Sequence, residues 1–250
     1  MINDVSINNS YEQRIVAFID VLGFSELVNK LDQYEYVFDL VNDNFMLEQF
    51  IKDEQKKKLY DTIEVTCFSD SIVISSELSQ NLTLSSFLAV IHKLMINMFK
   101  KRIPVRGGIT YGNLYHKGQI VFGPAMVKAY KLENKSAIYP RIILEEKDYN
   151  DILNSIHDST FNGKRYIKNL LKRDSDGFYY FNYFDITKNN DGHEKERELY
   201  LARIRETIIN GFEEADKKGD FTIRQKYSWM AEKYNRIDDL DKFSFVKIIY

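Results

Sequence analysis

Two short segments, FIDVLGF at residues 18–24 and FSDSIVI at residues 68–74, decide the fold of this chain. Each places a single carboxylate, Asp20 or Asp70, at the edge of an apolar run that favours a β-strand. Acidic side chains are almost never fully buried without a partner, and two of them brought together repel unless a cation lies between them. The pair therefore predicts a divalent-metal site for phosphate chemistry, provided that the fold brings the two carboxylates together.

The order of the predicted elements brings these carboxylates together. Strands are predicted over 14–20, 62–68, 72–76, 105–112, 114–122 and 141–144, and helices from residue 25 and over 33–58, 82–101 and 124–134. This order contains the βαββαβ unit of a ferredoxin-like sheet, an α+β sandwich, with one extra antiparallel hairpin. In that fold the first strand lies antiparallel beside the third, so the end of the first, at Asp20, meets the start of the third, beside Asp70.

The chain is predicted to fall into two parts. Residues 11–150 form the core, and residues 151–250 form a C-terminal α/β extension that packs on the core or at a dimer interface. Within the extension, helices are predicted over 151–172, 194–215 and 221–235 and an aromatic strand over 177–185.

Composition predicts an ordinary cytoplasmic globule. The 250 residues are 44% apolar and 29% charged, and the net charge of -2 argues against a general affinity for nucleic acid. A single cysteine, Cys67, excludes an intramolecular disulfide and fits a reducing compartment. No signal-peptide pattern or apolar run of roughly 20 residues is found, so we expect no membrane association.

The residues after Asp20 offer further ligands. The Val21 carbonyl is a candidate metal ligand, and the turn at Gly23 and Phe24 presents backbone N–H groups to a phosphate. Each aspartate also has a simpler interpretation, Asp20 as the cap of the next helix and Asp70 as an ordinary turn residue. The pairing of the two carboxylates favours the metal site.

Two later motifs contain positively charged side chains. In VRGGITYG at residues 105–112, Arg106 is a fork-shaped donor suited to phosphate, or alternatively an outward-facing surface residue. In FGPAMVKAYKLE at residues 122–133, Gly123 precedes a helix start that favours anions, and Lys131 lies about two turns further on. The alternative is a loop-to-helix junction with solvated lysines.

Together these four motifs resemble those of the class III nucleotide cyclases over residues 14 to 134. The chain departs from the purine-specific members at several positions. Thr66 stands where their adenine-reading lysine would be. The acidic residue that accompanies this lysine in purine cyclases would fall near Ile120. Val127 and Lys131 replace the asparagine and arginine of the last motif. Adenine selection is therefore not expected.

The motifs are more similar to those of the pyrimidine cyclases of bacterial Pycsar antiphage defence. Those cyclases carry a C-terminal extension, and the segment KYSWMAEKYN at residues 226–235 resembles it. This resemblance implies conversion of UTP or CTP to cyclic UMP or cyclic CMP during phage infection, with uridylate cyclase favoured over cytidylate cyclase. The product would activate a separate effector protein without direct binding between the two proteins.

The resemblance also implies the roles of the site residues. Asp20, the Val21 carbonyl and Asp70 would hold two Mg²⁺ or Mn²⁺ ions, and Arg106 and Lys131 would offset phosphate charge. Gly23, Phe24 and Gly123 would contact the substrate. The site would lie at a homodimer interface, and which subunit supplies each residue stays open.

Base selection has one candidate residue, Thr66, whose hydroxyl could face a uracil or cytosine edge. The alternative is that Thr66 is only a β-branched strand residue. Two other functions are kept as alternatives, a purine (adenylate or guanylate) cyclase and an inactive cyclase-fold protein that senses nucleotides. Thr66 argues against the first, and the paired Asp20 and Asp70 argue against the second.

Overall fold

A single sheet with helices on both faces carries both segments in a computed structural model of the chain. The structure describes residues 10–29, 35, 37–39, 42, 62–77, 81–155, 163–184, 194–238 and 240–249. The strands are β1 Glu12–Val21, β2 Glu64–Phe68, β3 Ser71–Glu77, β4 Val105–Lys117, β5 Ile120–Phe122, β6 Ile142–Leu144, β7 Leu171–Arg173 and β8 Tyr179–Phe181. Their order across the sheet is β2-β3-β1-β4-β6-β8-β7, with β5 paired to β4.

Seven helices lie within the described residues: α1 Phe24–Val28, α2 Asn81–Lys100, α3 Pro124–Ser136, α4 Glu146–Ser155, α5 Gly163–Leu170, α6 Glu194–Lys218 and α7 Phe221–Tyr234, with a 3₁₀ turn at Leu240–Phe243. Their ends follow ordinary capping rules. Helix α3 begins at a proline, and the Asp220 carboxylate accepts backbone N–H bonds from Thr222 and Ile223 to cap α7. Most of the helix predicted over 33–58 lies outside the described residues.

The ferredoxin-like prediction is confirmed. Strands β4, β1, β3 and β2 form an antiparallel set in that spatial order, which is the order of a βαββαβ sheet. Strand β6 then adds parallel to β4. In this register Asp20 lies opposite Ser71 on one side and opposite Arg106 on the other.

The predicted break between strands 105–112 and 114–122 is wrong. Strand β4 runs unbroken through Gly112, because its backbone pairs with β1 from Val105 to Leu114. The chain reverses later, at Gly118, whose φ of 56° suits glycine. In the extension, the helix predicted over 151–172 is likewise divided between α4, α5 and β7.

Side chains of β1 alternate between two apolar cores. Ile15, Ala17 and Ile19 join the larger core, which includes residues of α2. Val16 joins a smaller core that includes Ala129 of α3. Because strand residues alternate with a period of two, Asp20 follows Val16 onto the face covered by α3.

Gly108 of β4 lets α3 lie directly on the sheet. A Cβ atom there would lie 2.5 Å from the Ala129 carbonyl oxygen and 2.7 Å from Leu132 Cβ. We expect Gly108→Ala to lower the free energy of unfolding by about 1–3 kcal/mol, since α3 must move off the strand. Urea unfolding monitored by circular dichroism measures the loss.

Gly219→Asn is the matched control for this glycine substitution. Gly219 has a φ of 63°, a Cβ added there would have no atom within 4 Å, and asparagine tolerates this backbone region. Its unfolding midpoint should stay close to that of the parent chain. Equal midpoints for the Gly108→Ala variant and the parent would contradict the close packing of α3.

The extension continues the core sheet, because β8 pairs with β6 and β7 pairs with β8. A buried ionic cluster also ties the two parts together. Fully buried Arg141 pairs with Asp174 and Asp176, while Asp174 accepts the Trp229 indole N–H and pairs with Lys233, each at 2.7 Å. The cluster anchors α7 against the core, and the functional division at residue 150 remains a proposal.

Among the helices within the described residues, none is both long and apolar enough to span a membrane.

Candidate active site

The structure brings Asp20 and Asp70 together at one edge of the sheet. Asp20 is the second-last residue of β1, and Asp70 occupies the tight turn before β3, where Ser69 adopts a φ of 55°. Burial raises the pKa of Asp20 to about 6, and the charge of Asp70 and a side-chain hydrogen bond with it add to the rise. Two carboxylates in this relation share a proton or a cation.

Arg106 is held between two carboxylates. Its Nη2 lies 3.5 Å from Asp20 Oδ2, and its Nε lies 2.7 Å from Glu133 Oε1. These contacts exclude the alternative of a purely outward-facing surface arginine. The guanidinium therefore lies beside the paired aspartates.

Glu133 is a site residue that sequence reasoning missed. It is almost fully buried on α3, and burial raises its pKa to about 7 although the charge of Arg106 opposes the rise. The spacing along α3 could have indicated Glu133. It lies one turn after Ala129, which packs on Gly108, so both face the sheet. Glu133 forms a close ion pair with Arg106.

The turn after Asp20 packs closely on the core. Gly23 adopts a φ of 79°, and the Leu22 N–H donates to the Pro104 carbonyl at 3.0 Å. The Val21 and Phe24 side chains are buried. Contacts of Val21 or Phe24 with a ligand would therefore be made by their backbones.

Gly123 is not brought to Asp20 within one chain. A Cβ on Gly123 would lie 2.8 Å from the Asn113 carbonyl, and Asn113 pairs with Gln13 near the start of β1, far from Asp20 at its end. Lys131 is exposed on α3. Both residues line an open depression of about 580 Å³ at this end of the sheet.

Thr66 is buried in a chain of hydrogen bonds. Its hydroxyl donates to the Gly118 carbonyl at 2.7 Å and lies 2.8 Å from His116 Nε2. The other ring nitrogen, Nδ1, lies 2.8 Å from Ser75 Oγ, which accepts from Arg14 Nε at 3.0 Å. The directions are consistent when neutral His116 carries its proton on Nε2. The Thr66 hydroxyl thus already has both its partners.

His116 should make stability depend on pH. Burial and the charge of Arg14 lower its pKa from 6.5 to about 3, so only the unfolded chain takes up a proton there between these values. Stability from this group is lost as the pH falls below 6.5. Because His116→Gln cannot titrate, its destabilisation should shrink by about 3 kcal/mol between pH 7.5 and pH 4.5.

Denaturant unfolding of both proteins at the two pH values measures this change, and other titrating groups cancel in the comparison. A cost of His116→Gln that is independent of pH would show that His116 has the same pKa in the folded and the unfolded chain.

The oxygen ligands of the site suit a metal ion whose coordination is completed by substrate phosphates and waters. Within the described residues there is no group of three or more His, Cys, Asp or Glu that could hold a metal alone. Mg²⁺ is commonly bound by one or two carboxylates together with substrate phosphates and waters. Asp20 and Asp70 meet this requirement. Burial and then the charge of Asp70 raise the pKa of Asp20, and a bound cation would lower it again.

Comparisons with known proteins find weak likenesses to solved cyclase structures. No family model and no curated protein matches the chain. A bacterial light-regulated adenylyl cyclase is 19% identical over 62% of this chain and 48% of its own, with a TM-score of 0.43. The adenylyl cyclase CyaB from P. aeruginosa is 18% identical over 69% of this chain and 94% of its own, with a TM-score of 0.44.

A third similar structure is the catalytic core of a rhodopsin-guanylyl cyclase with converted specificity, in complex with ATPalphaS. It is 15% identical over 69% of this chain and 96% of its own, with a TM-score of 0.42. This chain spans about half the length of the light-regulated cyclase. Likeness at this level assigns no activity, so function is argued from the chemistry of the site.

Proposed function

We propose that this chain is a nucleotide cyclase that converts a pyrimidine nucleoside triphosphate, UTP or CTP, to its 3′,5′-cyclic nucleotide and pyrophosphate. The observation that supports this proposal most is the convergence of Asp20 and Asp70 beside Arg106, whose Nη2 lies 3.5 Å from Asp20. Paired carboxylates and a fixed guanidinium are the groups that phosphoryl-transfer chemistry uses.

Each residue of the site has a part in this reaction. Asp20, Asp70 and the Val21 carbonyl would hold two Mg²⁺ or Mn²⁺ ions. When bound, these ions activate the ribose 3′-hydroxyl and neutralise the triphosphate. Arg106, oriented by Glu133, would offset charge on the α-phosphate as the 3′-oxygen bonds to phosphorus and pyrophosphate leaves.

We further propose that the active form is a head-to-tail homodimer with C2 symmetry. Exposed apolar side chains surround the outer face of α3: Tyr11, Phe122, Val127 and Tyr130. A contiguous apolar patch of this kind marks an interaction surface. A second copy is the fitting occupant, because Lys131, a proposed phosphate contact, lines an open depression together with Tyr11 and Val127 of this patch and would face a partner's site from there.

The preference for a pyrimidine rests on the resemblance of the motifs, with UTP favoured over CTP. Thr66 remains the candidate wall residue of the base pocket. Because its hydroxyl is bonded to Gly118 and lies beside His116, a direct contact with a base would have to break one of these bonds. Thr66 would therefore contribute to base selection through the shape of the pocket wall and not through a hydrogen bond to the base.

The resemblance of the motifs supports a role in antiphage defence in the cytoplasm. The cyclic nucleotide would be the messenger, and it would activate an effector protein that does not bind the cyclase itself. Steady-state rates with UTP, CTP, ATP and GTP, each alone with Mn²⁺, test the proposed substrate. A preference for ATP or GTP would favour the purine-cyclase alternative and contradict the pyrimidine assignment.

A further inference from the structure

A cavity of about 220 Å³ lies between the turn that follows Asp20 and helix α7 of the extension. Its lining includes Leu22, Gly23 and Pro104 from the core and Ile223, Lys226 and Tyr227 from α7. Pockets that enclose a whole drug-sized ligand measure roughly 300–1,000 Å³. This cavity therefore suits one part of a substrate bound at the neighbouring aspartates.

The acidic residues of the cavity have a cation of their own. Glu26 and Glu214 both line it, and Lys218 pairs with both of them, at 2.7 Å from Glu214. Arg102, on the same wall, pairs with Glu206 at 2.7 Å. These ion pairs account for the charges of the cavity except one.

The remaining charge is Lys226, a half-buried lysine on α7. In the part of the chain that the structure describes, it forms no ion pair within 4.0 Å. Burial lowers its pKa, and the nearby charge of Arg106 lowers it further, which outweighs the opposing effects of Asp220 and Glu26. Two neighbouring cations, one partly desolvated and unpaired, form a favourable place for an anion.

We propose that Lys226 binds the terminal phosphates of the substrate triphosphate, so that the C-terminal extension forms part of the active site of its own chain. This inference rests on the proposed cyclase function. The cavity begins at Leu22 and Gly23, directly after Asp20 in the chain. A triphosphate whose α-phosphate lies at the two aspartates can extend past Arg106 into the cavity, toward the amine of Lys226.

Kinetics of Lys226→Gln test the proposal. Loss of a charge-assisted hydrogen bond to phosphate should raise KM for the preferred nucleoside triphosphate about 10-fold or more, with a smaller change in kcat. Lys226→Arg should recover most of the affinity. Lys217→Gln, which removes the same charge from an exposed position on α6, should leave both constants unchanged.

A binding measurement separates this inference from the cyclase proposal. Isothermal titration with inorganic tripolyphosphate and Mg²⁺ should show about 10-fold weaker binding to Lys226→Gln than to the parent chain or Lys217→Gln. Unchanged KM and unchanged tripolyphosphate affinity would overturn the role of Lys226. A parent chain inactive on all four nucleoside triphosphates would overturn the cyclase proposal, and tripolyphosphate binding would still decide the role of Lys226. If Lys226→Gln fails to fold, Lys226→Met preserves the apolar stem and serves in both measurements.

Discussion

Replacing Asp70 with asparagine should lower the rate of cyclic nucleotide formation by a factor on the order of 10³ and leave the fold intact. The substitution removes one of the two carboxylates that converge at the end of β1. Asp20→Asn should have an effect of the same size. Rates are measured with the preferred nucleoside triphosphate and Mn²⁺, and the fold is checked by circular dichroism.

The same substitution should raise the stability of the metal-free protein. The charge of Asp70 raises the pKa of Asp20, so ionised Asp20 is disfavoured in the folded state at neutral pH. Removal of Asp70 relieves that repulsion and should add about 1 kcal/mol, or roughly 2–4 °C in melting temperature, in the presence of a chelator. A lower melting temperature would mean that Asp70 stabilises the turn.

Asp241→Asn is the matched control, because Asp241 is an exposed aspartate in the 3₁₀ turn of the extension. The Asp241→Asn variant should have the same reaction rate and the same melting temperature as the parent chain. If Asp70→Asn turned over at close to the parental rate, the paired-carboxylate site would be rejected.

Mixed dimers should regain activity that neither parent variant has. Asp70→Asn disables the site of its own chain, whereas Lys131→Ala removes a cation that we propose acts in the partner's site. A dimer of one chain of each kind keeps one intact site. Equal mixing gives half mixed dimers, so activity should recover to about a quarter of the parental value.

A second pair of variants controls for exchange and refolding. Arg106 lies 3.5 Å from Asp20 of the same chain, so Asp70→Asn mixed with Arg106→Ala keeps no intact site and should stay inactive. The reverse pattern, with recovery in the second mixture and none in the first, would place Arg106 in the partner's site. Full activity of a monomer in light scattering would contradict the dimer altogether.

The meeting of Asp20 and Asp70 followed from the sequence because strand order determines register. Once β1 and β3 are antiparallel neighbours, the end of one lies beside the start of the other, however far apart the two aspartates are in sequence. Gly108 is the sequence feature that indicates the close packing of α3 on β4. A glycine facing Ala129 allows α3 to lie on the strand and thereby places Glu133 beside Arg106.

Other parts of the site depend on packing that no local pattern records. The hydrogen-bond chain through His116 and Thr66 joins four strands, and its members are ordinary strand residues when taken singly. The position of Lys226 depends on how α7 docks, which the cluster of Arg141, Asp174 and Trp229 stabilises. These contacts join segments far apart in sequence, so periodicity and spacing could not predict them.

Asp20 and Asp70 are proposed to form the site of a nucleotide cyclase. Mass spectrometry of the products from an equimolar mixture of the four nucleoside triphosphates with Mn²⁺ tests this proposal, with the parent chain and Asp70→Asn assayed in parallel. We predict cyclic UMP or cyclic CMP from the parent chain, with one pyrophosphate for each, and no cyclic product from the variant. The absence of any cyclic nucleotide from the parent chain, or its equal formation by Asp70→Asn, would contradict the account.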